Sequence, residues 1–187
     1  MATMISNGID VVAFLKEQHE QIRAGFERVR ETGGAEREWA FFALRRLLAV
    51  HETAEEEIVH PAARAALPDG DVVVDARLRE EQGAKRVLSE LESLDVDSPE
   101  FASQFAQLES SVLSHAQKEE TEEFERLRSR FDAGRLERMR QAVVIAESIA
   151  PTRPHPGLES QAANLLIGPF ASMLDRARDL FAKAGRD

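Results

Sequence analysis

Two copies of one motif carry the chemistry this chain offers: His51 to Glu55 in HETAEEE, and His115 to Glu119 in HAQKEE. Residues four apart stack on one face of a helix. Both pairs sit on an apolar stripe, with Leu44, Leu47 or Leu48, and Ile58 around the first and Leu108 and Val112 ahead of the second. An unpartnered charge buried there would be costly, and a metal ion would resolve the conflict. His19 repeats the placement, four residues after Leu15 and three before Ile22.

The positioning elements follow from breakers and periodicity. Gly33-Gly34, Pro68-Asp69-Gly70, Asp95 through Pro99, Gly134, and Pro151 through Gly157 divide the chain. Between them the spacing predicts helices over about Ile9 to Arg30, Glu36 to Ala66, Val72 to Leu94 and Pro99 to Phe131, with no alternating strand pattern. Four amphipathic helices with short connections pack as an antiparallel up-down-up-down four-helix bundle, so the fold class is all-α. Residues 1–133 form this bundle in the reading. Residues 134–187 form a C-terminal helical extension: a helix over Arg135 to Ala150, a proline-rich linker over 151–157, and an amphipathic helix over Ser160 to Ala184. The last helix is expected to dock on the bundle or on a second copy of the chain, which would give a homodimer.

Helix three has no histidine. Its mean apolar direction, set by Val74, Leu78, Ala84, Val87, Leu88 and Leu91, lies roughly 35° from Glu81, 65° from Glu80 and 135° from Gln82. Glu81 is therefore the inward carboxylate, and Glu52, at the edge of its stripe, could add another oxygen. Glu52, Glu56 and Glu57, and likewise Glu120, Glu122 and Glu123, read as a solvated acidic face. His60 lies nine residues after His51, about half a turn round an α-helix, and His155 falls in the linker; neither is assigned to the site.

His19, His51, Glu55, Glu81, His115 and Glu119 make a donor set too rich for one tetrahedral zinc. Two metal ions fit the count, with Glu55 and Glu119 as bridges and the others as terminal ligands. The chain has no cysteine, which leaves only nitrogen and oxygen donors. Iron is the expected metal because carboxylate-bridged pairs in helical bundles are its usual setting; manganese and zinc also accept these donors.

The composition agrees with a soluble domain: 187 residues, 43% hydrophobic and 31% charged. A net charge of -10 argues against nucleic acid or an anionic membrane as partner. There is no apolar run of about 20 residues to span a bilayer, and MATMISNGID lacks the basic start and apolar core of a secretory signal, so a cytoplasmic location is expected.

His19 in EQHEQI, His51 and Glu55 in VHETAEEEIVHPAA, and His115 and Glu119 in LSHAQKEETEEFERL, over about Asp10 to Phe131, resemble the hemerythrin-like family, also called the HHE cation-binding domain. The resemblance implies an antiparallel four-helix bundle around a non-haem di-iron centre with an oxo or hydroxo bridge. The ferritin-like di-iron signature, Glu-x-x-His, is absent, since Leu48 and Val112 stand three residues before His51 and His115. Where oxygen-carrying relatives have histidine on helix three, this chain has LREEQGAKRVL, with Gln82 at the expected position. A carboxylate in place of an imidazole adds negative charge and favours the oxidised metal, which counts against reversible oxygen carriage. The expected activity is binding or reduction of a small oxidant: oxygen, hydrogen peroxide or nitric oxide. The other reading is an iron, oxygen or redox sensor, or a metal-stabilised interaction module without turnover.

Overall fold

A computed structural model describes residues 9–150. The linker over 151–157, the helix over Ser160 to Ala184 and the homodimer contact assigned to it lie outside the described residues.

The order of elements is α1 (Val11–Glu31), α2 (Gly34–Ala54), a π-helical turn (Glu55–Val59), α3 (His60–Ala66), α4 (Gly70–Leu91), α5 (Pro99–Lys118), a second π-helical turn (Glu119–Phe124), α6 (Glu125–Arg130) and α7 (Ala133–Ile149). No strand occurs among the described residues. The pieces from α2 through α3, and from α5 through α6, each form one long rod, so α1, the second rod, α4 and the fourth rod make the antiparallel bundle. The second and fourth rods are therefore not the continuous α-helices expected. Pro61 accounts for the first interruption: inside an α-helix it would lack an N–H and press on the carbonyl four residues back. The chain widens just ahead of it, and the His60 N–H bonds to the Glu55 carbonyl, five residues away. No proline stands in the second wide turn.

Local chemistry sets the ends. Asp10 caps α1 by accepting from the Ala13 N–H at 2.8 Å and also receives the Arg128 guanidinium. Ser98 caps α5, with Pro99 in its first turn, and Asp132 caps α7. The connection from α1 to α2 needs Gly34 at φ +53°, a conformation that side chains with a Cβ avoid. Asp97 accepts from the Gly34 N–H and from Arg37, which ties the two loops at that end together.

The apolar interior falls into two clusters. One contains Val12, Leu15, Ile58, Val59, Val74, Phe124 and Leu127; the other contains Ile22, Phe26, Leu44, Leu48, Leu88, Phe105, Leu108 and Val112. Every rod crosses from one to the other, and at each crossing it carries a polar residue: His19 between Leu15 and Ile22, His51 and Glu55 between Leu48 and Ile58, Glu81 between Val74 and Leu88, His115 and Glu119 between Val112 and Phe124. Helix α7 packs on α1, α2 and the first π-helical turn. Its Leu136, Met139, Ala142, Val143 and Ala146 complete the first cluster.

Candidate metal centre

At the polar layer the imidazole Nε2 atoms of four histidines point inward. His19 Nε2 lies 3.4 Å from Glu119 Oε2, and His51 Nε2 lies 3.3 Å from Glu55 Oε2. On the opposite side, His115 Nε2 is 3.1 Å from Glu119 Oε1, and His60 Nε2 is 2.7 Å from Glu81 Oε1. Three sets of donor atoms lie within 4.8 Å of one another: His19, His51, Glu55 and Glu119; His60, Glu119 and Glu123; and Glu81, His115 and Glu119. The structure thus brings together all six residues singled out in the sequence. Glu119 belongs to every set, which places its two oxygens between the others.

Each ring is also held from behind. The Nδ1 of His19 donates to Glu120 at 2.9 Å, that of His51 to Gln18 at 2.8 Å, that of His60 to Glu123 at 2.9 Å and that of His115 to Glu80 at 3.0 Å. A carboxylate or amide oxygen can only accept, so each Nδ1 carries the proton. This is the outer support that fixes tautomer and ring direction in metal-binding histidines. Phe124 stacks on His19 with centroids 5.6 Å apart and fixes that ring further.

His60 is the principal residue that periodicity misplaces. An inserted residue sets the helical register back by about 100°, so the π-helical turn brings His60 from about half a turn to roughly 80° from His51. Pro61 inside a helical pattern was the available signal. Glu123, read as part of a solvated face, is buried within the second wide turn, and Glu120 and Glu80 face histidines rather than solvent alone. Only spatial context reveals these partners. Glu52 is buried but belongs to none of the three sets; it faces Lys85 Nζ at 3.8 Å, as does Glu81 Oε2. His155 lies outside the described residues.

Burial and mutual charge dominate the electrostatics of the cluster. Burial, then the neighbouring Glu119, raises the Glu55 carboxyl well above its ordinary range. Burial raises Glu81 to about 7 against the pull of His60, and Glu52 to about 8 against that of Lys85. Burial, reinforced by His19, pushes His51 down to about 3. His60 and His115 are raised well above 6.5 despite burial, by Glu123 and Glu81 in one case and by Glu119 in the other. Burial opposes the charge on Glu119, yet His115 and His19 hold it well below the carboxylate range.

The donor atoms fit a metal on a separate ground. Both oxygens of Glu55 and of Glu119, Glu81 Oε2, Glu123 Oε2, His19 Nε2 and His115 Nε2 are buried without a hydrogen-bond partner. Buried polar atoms are normally satisfied, and eight of the fourteen orphaned among the described residues gather in this cluster.

A buried cluster of imidazoles and carboxylates, carried across a four-helix bundle, defines the class: a helical cation-binding domain. The chain belongs to the hemerythrin family, described as the hemerythrin HHE cation-binding domain, whose model matches residues 10–127. Among solved structures it is similar to a hemerythrin HHE cation-binding domain-containing protein of Mycobacterium kansasii, with a TM-score of 0.66 and 19% identity over 91% of this chain and 99% of that one. It is also 25% identical, over 125 residues, to a DNA nickase of Nostoc sp.. That match covers 66% of this chain and 35% of the relative, so the chain spans about a third of that protein's length. No helix among the described residues is long and apolar enough to cross a membrane.

Proposed function

We propose that this protein is a non-haem di-iron protein that binds or reduces a small oxidant such as oxygen, hydrogen peroxide or nitric oxide. The observation that carries the reading is the convergence of four Nδ1-anchored imidazoles and four buried carboxylates with unpartnered oxygens. In this reading His19, His51 and Glu55 would hold one metal, His60, His115 and Glu81 would hold the other, and Glu119, which belongs to all three donor sets, would be shared between them. When bound, an iron pair supplies two one-electron changes, enough to take hydrogen peroxide and two protons to two waters.

The chain's own part is to place and shield. Each Nδ1 contact keeps an Nε2 lone pair aimed inward. Glu55, Glu81 and Glu119 would offset the charge of two cations, which would take the place of the protons that burial favours on Glu55 and Glu81. The carboxylates of Glu55, Glu81 and Glu119 are at most 1% exposed, which admits only small molecules. Glu81 in place of a third imidazole on its metal favours the oxidised state, so oxidant consumption is preferred to reversible carriage.

The second reading is a sensor or a metal-stabilised module without turnover; it is favoured by helix α7, which lies beyond residues 10–127 and packs against rods that carry the donors. Metal analysis of protein from iron-sufficient cells, together with peroxide and nitric oxide consumption by the loaded protein, tests both. About two irons per chain with turnover supports the first reading. Two irons and a large change in melting temperature without turnover support the second, and protein that takes up no metal overturns both.

A further inference from the structure

Helix α7 reaches the metal centre through a chain of two hydrogen bonds. Glu147, half-buried near the end of α7, accepts from Gln18 Nε2 at 2.5 Å, and Gln18 Oε1 accepts from His51 Nδ1 at 2.8 Å. Gln18 is 7% exposed and His51 is 3% exposed. The direction of the chain follows from its far end. An ionised carboxylate can only accept, so it draws the amide NH2 of Gln18 toward itself. That leaves the amide oxygen to face His51, whose Nδ1 must then bear the proton and whose Nε2 lone pair must face Glu55. Without Glu147 the amide has no reason to prefer this orientation over the reverse. Reversed, it would present NH2 to Nδ1 and move the proton to Nε2, the atom a metal would need.

We infer that Glu147 is a positioning residue that sets the tautomer of His51 through the Gln18 amide and so couples helix α7 to the metal centre. The other three histidines take their outer partner directly from a carboxylate on the bundle. His51 alone among them relies on an amide, and an amide must be oriented by a further group. That group is supplied from outside the matched range of residues 10–127. The inference takes His51 to be a metal ligand, as proposed above, but the proton position it predicts exists without metal.

The test uses the full-length chain in two states. In the metal-free protein, long-range nitrogen-proton spectra report which ring nitrogen of His51 bears the proton, with His51→Gln supplying the assignment. The wild type is expected to show Nδ1–H, and Glu147→Ala a shift toward Nε2–H. In the iron-loaded protein, Glu147→Ala is expected to release iron to a chelator up to ~10-fold faster, the lower end of the range for outer partners of metal ligands. In a Gln18→Leu background, Glu147→Ala should change neither readout further. An unchanged His51 proton position overturns the inference, and so does an equal effect of Glu147→Ala in the Gln18→Leu background, because the residue would then act through the fold. If Glu147→Ala does not fold, Glu147→Gln decides in the same way: it keeps the shape but permits both amide orientations, so a mixed tautomer supports the inference and an unchanged one overturns it. A wild type that takes up no iron refutes the metal reading alone, since the proton position still decides this one.

Discussion

His60 Nδ1 lies 2.9 Å from Glu123 Oε1, although the two residues belong to different rods and each owes its place to a wide turn in its own helix. The first turn swings His60 inward, and the second holds Glu123 in the buried layer. The contact joins the two irregular segments across the centre and leaves His60 Nε2 directed at Glu81.

His60→Ala is expected to lower bound iron from about two to about one per chain, because one coordination sphere loses an imidazole. Elemental analysis of the variant checks this, and full iron content would remove His60 from the centre.

Glu119 and Glu81 should differ in what their loss does. Glu119 belongs to every donor set and Glu81 to one, so Glu119→Gln is expected to abolish binding of both metals and Glu81→Gln to weaken one. Titration with ferrous iron under anaerobic conditions distinguishes them. Equal effects of the two substitutions would contradict the bridging role.

The metal-free protein should lose stability as pH rises from 6.5 to 8. Burial raises Glu81 to about 7 and Glu52 to about 8 from 4.5, so the folded chain binds protons there that the unfolded chain has released. Their contribution is complete below 4.5 and is lost as pH rises through the folded values. His60 and His115, raised above 6.5, act with the same sign. His51, lowered to about 3, opposes them only below 6.5, where its unfolded form takes up a proton. Iron-loaded protein should show a smaller decline, since cations replace the protons. Melting temperatures of both forms at the two pH values check the sign; a metal-free protein that gains stability over this window contradicts it.

Gly70→Ala is expected to destabilise the fold by ~1–3 kcal/mol, the usual cost of forcing atoms into a packed site. A Cβ at this position would lie 2.5 Å from the Arg64 carbonyl oxygen and 2.7 Å from that of Ala63. These are backbone atoms of α3, which cannot yield without moving the helix that begins at His60. Urea unfolding of the metal-free variant measures the cost. Stability within 0.5 kcal/mol of wild type, the spread of ordinary surface substitutions, would show that α3 shifts freely.

Much of the architecture was legible in the sequence because the apolar period is regular. Leu15 and Ile22 around His19, and Val112 before His115, define one inward line on each rod, and Gly34 and the Ser98-Pro99 pair mark where rods start. Glu81 was reached from the average direction of its helix, and it is buried where that direction points. The same arithmetic misplaced His60 and Glu123, because it assumes that every residue turns the helix by the same angle. Two wide turns break that assumption, and only one of them is announced, by Pro61. Gln18, Glu80 and Glu120 were illegible for another reason: they matter through what stands behind each imidazole, and that depends on how neighbouring rods meet. Lys85, beside Glu52 and Glu81, is of the same kind.

If the proposed centre binds its cations, the first wide turn would make helix winding and ion capture a single event. Rewinding Glu55–Val59 as an ordinary α-helix would carry His60 away from Glu81 and Glu123, and it would set Pro61 against the carbonyl behind it. In the proposed centre, a cation gripped by His60 would act as a clamp on the local pitch of the backbone. Stripping it would slacken the rod at the place where two apolar halves of the molecule are joined.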